Sequence, residues 1–304
     1  MAEQARPAVA VVVATRDRPE LLERAVAGII GQSYPGDIEC LVVFDQSAPR
    51  PVPAAESPGR RLTVLANSRA AGLAGARNAG ILSSSAPLIA FCDDDDVWTP
   101  AKLSLQVDHL ESTAAEFVAS GVSIHHTDHV ITRIPPATVA LGQLVRERVT
   151  ALHPSTFLFR REMVEAMGLV DEEIPGSYGE DYDWLLRAAR RHQIVSVREP
   201  LVDVYWHKQS FFAERWATVV SALEYLLSKH PELMADPAGR ARIQGQIAFA
   251  QAALARRSAA FRSGGQALRG NPAERRAYLA LAVASGVVPA TMIVRLANRR
   301  GRGI

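Results

Sequence analysis

Residues 88–98 read LIAFCDDDDVW, a run of apolar side chains that stops on four aspartates, Asp93 to Asp96. A short apolar run bounded by Pro87 on one side and charge on the other is the pattern of a buried strand. Adjacent carboxylates repel, so at the edge of such a strand they need a proton or a cation. Hard divalent cations take carboxylate oxygen, and Mg2+ or Mn2+ commonly uses one or two protein carboxylates together with substrate phosphates. In open α/β sheets ligands bind just beyond the carboxyl ends of the strands. A solvated acidic turn is the plain alternative, yet such turns are rarely joined to a wholly apolar strand and closed by a Trp.

Upstream, Val9–Ala14 is a continuous apolar run, rich in Val, that suits a strand buried on both faces of a parallel sheet. Pro19 fits the first turn of a helix on which Leu21, Leu22, Ala25, Val26 and Ile29 recur at helical spacing as far as Gly31. Ile38–Phe44 reads as a second strand, ending at Asp45. Residues 48–60 read as a loop and Leu62–Leu65 as a third strand, followed by Asn67 and the small-residue stretch AAGLAGARNAG, which leads into a helix. Alternation of this kind implies a doubly wound, Rossmann-like α/β sheet. The glycines form neither a GxGxxG fingerprint nor a Walker loop, so NAD binding and P-loop hydrolysis have no support. Asp45, at the end of its strand, can accept hydrogen bonds from a base or ribose, although an Asp opening a loop is also a common turn former. Arg77 can pair with a diphosphate bidentately, or simply sit on a helix surface.

The chain has 304 residues, 48% hydrophobic and 22% charged, enough for a large domain with an appendage or for two domains. We expect a catalytic domain over 1–210 and a basic helical region over 211–304. Residues 211–304 hold 14 Lys+Arg against 5 Asp+Glu, leaving 20 against 27 in residues 1–210, so a net +2 conceals +9 and −7. The acidic part suits a metal site and the basic part an anionic surface. Cys40 and Cys92, both in strand patterns, read as reduced core residues. The start MAEQARP lacks a basic n-region, so a cytoplasmic protein is expected.

Three helices are expected in the C-terminal region, over 212–227, 237–262 and 272–298. Residues 277–294 carry no charge and are flanked by arginines. They are slightly short for a membrane span and broken by Gly286 and Pro289. A packed helix and a segment resting on an anionic membrane at its inner face both remain open. Between the halves, SIHHTDHV places His125 and His129 on one face of a strand and His126 with Asp128 on the other, which matches no helical zinc signature. Residues 135–150 read as a mobile loop. GEDYDW, residues 179–184, opens a helix whose N-terminus keeps carboxylates ionised. Trp184, Tyr205 and Trp206 are candidate aromatic walls.

Together these segments resemble family 2 glycosyltransferases of the GT-A fold. The resemblance rests on VAVVVATRDRPELLERAV, LVVFDQS, AGARNAGI, LIAFCDDDDVWTPAKL, HPSTFLFRREMVEAMGLVDEEI and GEDYDWLLRAAR, in the family's order over roughly 8–210. It implies an inverting transfer from a nucleotide-diphosphate sugar to a glycan, lipid-linked or small-molecule acceptor, with Mg2+ or Mn2+ as cofactor and no nucleic-acid partner. Asp93 and Asp95 would bind the metal, and His207 resembles a position that approaches metal or diphosphate. Thr15, Asp45, Arg77, Asn78, Asp93 and Asp94 would contact the donor. Asp181 matches the general base and Glu180 its neighbour. Many relatives carry two acids at Phe44-Asp45, where only Asp45 stands here. Two other classes remain open. A nucleotidyltransferase would show a basic, glycine-rich loop where this chain has TRDRPE, and a non-catalytic relative would have lost the metal or base carboxylate.

Overall fold

The computed structural model describes residues 6–55, 57–126, 128–205 and 215–299. Trp206, a candidate aromatic wall, and His207, a candidate metal-site residue, lie outside the described residues. The chain divides into two compact units, one of residues 1–141, 149–172 and 180–206, the other of 142–148, 173–179 and 207–304.

The first unit is built on a ten-stranded mixed sheet. Its strands are β1 (Val9–Thr15), β2 (Ile38–Phe44), β3 (Arg60–Ala66), β4 (Leu88–Asp93), β5 (Asp96–Trp98), β6 (Phe117–His125), β7 (Val130–Arg133), β8 (Thr138–Val139), β9 (Leu158–Arg160) and β10 (Ile194–Tyr205). The order is β3-β2-β1-β4-β9-β6-β10-β5, with β7 beside β6 and β8 beside β10. The first four are mutually parallel, with Val9 opposite both Ile38 and Leu88. Beyond β4 the sheet is mixed, with β9 antiparallel to both β4 and β6. The run of Val in β1 is buried from Val9 to Val13, as a central strand covered on both faces requires.

Helix α1 (Pro19–Ile30) buries Leu22, Ala25, Val26 and Ile29, the stripe read from the sequence. Helix α2 (Leu73–Leu82) lies so close to β1 that a Cβ on Gly80 would collide with the Val12 side chain. α3 (Lys102–Thr113) follows β5. Successive strands run from β1 through β2 to β3 on one side of β1, whereas β4 adds on the other. The carboxyl ends of β1 and β4 therefore flank the point where strand order reverses, the usual ligand crevice of such sheets. α5 (Arg161–Met167) ends at Gly168 (φ 84°), and α6 (Glu180–Arg191) carries the GEDYDW acids in its first turn.

The second unit is helical, and here several expectations are corrected. The stretch 135–150 is not a featureless loop, because it contains β8 and α4 (Leu141–Arg146). After α7 (Trp216–Lys229) and α8 (Pro231–Ala235), the expected single helix over 237–262 is two, α9 (Pro237–Ala253) and α10 (Arg257–Gly270), parted at Ala255 with φ 58°. The expected helix over 272–298 is likewise α11 (Arg275–Ala284) and α12 (Ala290–Arg299), parted at Gly286 with φ 81°. Among the described residues no helix is long and apolar enough to cross a membrane. α9 is the central element, burying Ile243, Ile247, Ala248 and Phe249, with the Phe249 ring edge-on to Trp216 at 5.7 Å.

Candidate active site

β4 runs out at Asp93, and the chain turns through Asp94 and Asp95 before Asp96 opens β5, pinned antiparallel to β10 opposite Val204. A short 3-10 turn, Pro154–Thr156, closes over this acidic turn. The Ser155 hydroxyl donates to Asp96 Oδ2 (2.5 Å) and accepts from the Asp93 amide (2.9 Å). His153 Nδ1 lies 3.3 Å from Asp96 Oδ2. Asp93, Asp96 and His153 each offer a ligand atom, all within 4.8 Å of one another. Burial, with Asp93 and Asp95 nearby, pushes the Asp96 carboxyl well above the usual range, and burial pulls His153 down, favouring the neutral imidazole that ligates metals. Two crowded carboxyls and a neutral imidazole fit a divalent cation.

On the β1 side, Asp17 takes a left-handed backbone (φ 55°), and the Arg18 Nη1 beyond it lies 3.3 Å from Asp94 Oδ1 and 2.8 Å from Asp95 Oδ2. The Thr15 hydroxyl donates to Asp94 Oδ2 at 2.7 Å. Burial pushes Asp94 up to about 6, against the pull of Thr15 and Arg18. Asp45 is next door, its amide bonded to the Thr15 carbonyl (2.9 Å). Its Oδ1 accepts from the Asn67 amide (2.8 Å) and the Gly72 N–H (3.0 Å), and its Oδ2 from Gln46 (2.8 Å). The 67–72 loop is in turn held by Glu172, which accepts from the Ala70 amide and pairs with Arg69.

On the α6 side, Arg77 is buried, 3% exposed, and its guanidinium spans two acids. Nη2 donates to Asp93 Oδ1 (2.8 Å) and Nη1 to Glu180 Oε1 (2.6 Å), with the Phe91 ring 4.9 Å beneath. Burial raises Glu180 to about 7 against the pull of Arg77. Asp181 lies close enough that its charge acts on Arg77, Glu180 and His153.

The family match agrees with this geometry, since the model for Glycosyl transferase family 2 covers residues 10–168, more than half the chain. The chain belongs to glycosyl transferase family 2. Among curated relatives, the UDP-Glc:alpha-D-GlcNAc-diphosphoundecaprenol beta-1,3-glucosyltransferase WfgD of Escherichia coli is 24% identical over 140 residues, 45% of this chain and 55% of that one. The match thus spans only about half of WfgD. WfaP of Escherichia coli, with the same description, is 25% identical over 72% of this chain and 86% of its own. Of solved structures, Staphylococcus aureus TarS 1–349 in complex with UDP-GlcNAc superposes with a TM-score of 0.59 at 13% identity, covering 97% of this chain and 92% of that one. The mannosyltransferase PcManGT of Pyrobaculum calidifontis, in complex with GDP-Man and Mn2+, gives 0.56 at 18% identity, covering 97% and 81%. The fold is that of GT-A glycosyltransferases.

Measured against the family expectation, the structure gathers Thr15, Asp93, Asp94, Arg77, Glu180 and Asp181 around one crevice, with Asp45 at its β2 edge. Asp95 Oδ2 pairs with Arg18, and among the described residues the ligand atoms that lie together with Asp93 are those of Asp96 and His153. Asn78 is placed elsewhere than expected. It is fully buried, its amide donates to the Val170 carbonyl (2.8 Å) and Glu172 (2.6 Å), and its oxygen accepts from the Val170 amide (2.9 Å). It fastens α2 to the 170–172 segment. Arg77 is not on a helix surface, the other reading of it, but buried between two carboxylates. Ser155, His153 and Arg18 were not singled out. The HPST motif was the available signal for the first two.

Proposed function

We propose that this glycosyltransferase moves a sugar, with inversion, from a nucleotide-diphosphate sugar to an acceptor hydroxyl in the synthesis of a polysaccharide or cell-envelope glycan. The observation that carries this is the Arg77 clamp, which ties the strand end bearing Asp93 to the helix start bearing Glu180 and Asp181. Asp93, Asp96 and His153 would hold Mg2+ or Mn2+, which when bound neutralises charge on the departing diphosphate. Asp45, with Thr15 and Asp94 beside it, holds the nucleoside end of the donor. Asp181 takes the proton from the acceptor hydroxyl as it attacks the anomeric carbon opposite the leaving diphosphate. Glu180 and Arg77 set the position of that base.

WfgD and WfaP are named for an α-D-GlcNAc-diphosphoundecaprenol acceptor, which supports a lipid-linked acceptor over a free glycan or small molecule. In this reading the enzyme works in the cytoplasm, peripheral at the inner face of the membrane. The deciding experiment is a thermal-shift screen of nucleotide diphosphates and their sugars with and without Mn2+, followed by transfer assays with the donor found. Ligand at 100–1,000 times its Kd stabilises by about 3–4 kcal/mol. Metal-dependent stabilisation by one nucleotide, lost in Asp93→Ala, is expected. Stabilisation by no nucleotide in the presence of metal overturns the reading.

A further inference from the structure

Between residues 237 and 297 the chain carries nine arginines and one acid. That acid, Glu274, is buried at the start of α11, where it accepts from the Arg276 amide at 3.2 Å. Arg256, Arg257, Arg262, Arg269, Arg275 and Arg295 are exposed. The same region concentrates exposed apolar side chains. Phe261, Tyr278, Leu279, Val287, Met292 and Leu296 make up six of the ten large hydrophobics exposed among the described residues.

Charge and apolar surface meet at one tip. The Arg257 guanidinium lies 3.7 Å from the place a Cβ on Gly286 would occupy, which brings the start of α10 beside the α11–α12 connection. On that connection Val287 is 77% exposed. Phe261 is one turn along α10 from Arg257, on the same face, and Met292 stands in the first turn of α12. A purely polyanionic partner would use the arginines but leave Val287, Phe261 and Met292 in water. A lipid interface uses both, because apolar side chains enter the headgroup–acyl boundary while cations sit over phosphates.

We propose that this tip seats on a bilayer leaflet bearing anionic phospholipid headgroups, with Val287, Phe261 and Met292 inserted and Arg256 and Arg257 over the phosphates. Docking of this kind deepens the membrane location proposed above and rests on none of the transfer chemistry. The test is co-sedimentation of the full chain with vesicles of phosphatidylcholine alone and of phosphatidylcholine with phosphatidylglycerol. Binding is expected only to the second kind, weakening as the screening length falls from about 10 Å at 0.1 M salt to about 3 Å at 1 M. Each basic residue near an anionic surface is worth about five-fold in partitioning, so Arg256→Gln with Arg257→Gln lowers it about 25-fold. Val287→Asp lowers it independently. All three positions are exposed and outside the transfer site, so unfolding temperature and the nucleotide-induced thermal shift should match the parent. Equal binding to both vesicles, or full binding by both variants, overturns the proposal. So does capture by heparin or DNA with no binding to vesicles. Vesicle binding that falls with the variants while no donor is ever recognised would retain the docking surface and remove the sugar-transfer reading.

Discussion

Asp94→Asn should make the metal-free protein more stable, although it deletes an ion pair. The side chain is 6% exposed. Thr15 and Arg18 both favour its charged form, yet burial outweighs them and lifts it from the ordinary 3.8 to about 6. At 1.36 kcal/mol for each factor of ten in proton affinity, that difference is ~3 kcal/mol. The folded carboxyl binds its proton more tightly than the unfolded one. Stability therefore falls as pH rises from 3.8 to 6, and the whole cost stands above that window. Asparagine keeps the size and still accepts the Thr15 hydroxyl. In EDTA at about pH 7.5 the variant should gain ~3 kcal/mol, or about 6–12 °C in Tm for a domain near 200 residues, and the gain should shrink towards zero near pH 4. Denaturant unfolding at a series of pH values reads both. With Mn2+ the parent should recover more than the variant, because a cation interacts with the charge that Asn lacks. A variant less stable than the parent in EDTA at the higher pH, or a gain independent of pH, would refute the reasoning.

Asp181→Asn should cut turnover by about 10²–10⁴-fold while the nucleotide-induced thermal shift is unchanged, which single-turnover assays and the shift screen measure side by side. Lys102 is fully buried, its ammonium 3.7 Å over the Trp98 ring and bonded to Gln106 (2.6 Å), and burial lowers it from 10.5 to about 7. The folded state binds fewer protons, so stability rises with pH across that window. Lys102→Met should stabilise by at most ~2 kcal/mol below pH 7, being ~5 for the charge less ~2 for the lost cation–π contact and ~1–3 for the Gln106 oxygen left unpaired, and by less as pH climbs towards 10.5, read by denaturant titration. Gly75→Ala should cost at least ~1–3 kcal/mol, because its Cβ would collide with the Ala70 carbonyl. Nucleotide affinity should fall with it, measured by calorimetry, since the displaced 67–72 loop carries two of the donors that hold Asp45.

The parallel half of the sheet is legible because β1, β2 and β4 are almost wholly apolar runs, broken within β2 by Glu39 alone, and α1 has a clean helical stripe ending at a glycine. β5 is not, being three residues whose partner, β10, lies a hundred positions away. The break between α9 and α10 fell on Ala255 in a left-handed conformation, a residue type that announces no turn. At the site, local pattern located the acidic turn and the α6 carboxyls, and family resemblance assigned them chemistry. Neither reached the cross-chain partners. Ser155 and His153 meet Asp96 only after β9 and the 3-10 turn fold against β4, about sixty residues away. Arg77 reads as a ligand residue because an arginine in a glycine-rich segment has no local partner, and the two carboxylates it bonds are 16 and 103 positions off.

That clamp also explains why protonation and metal binding should act on the same groups. Asp93 to Asp96, Glu180 and Asp181 are six carboxyls around one crevice, and among the described residues the guanidiniums paired with them there are those of Arg18 and Arg77. Fully ionised, the cluster would carry a large negative excess and repel the diphosphate it is proposed to bind. Burial relieves part of this by raising the proton affinity of Asp96 and Glu180, and below about pH 6 of Asp94. A divalent cation relieves it differently, and the carboxyls it engages must give up their protons. The cation thereby adds the positive charge that a diphosphate needs. Two of the five N–H donors of Arg77 go to Asp93 and Glu180, so the guanidinium holds strand and helix at a fixed spacing while its charge stays beside the site.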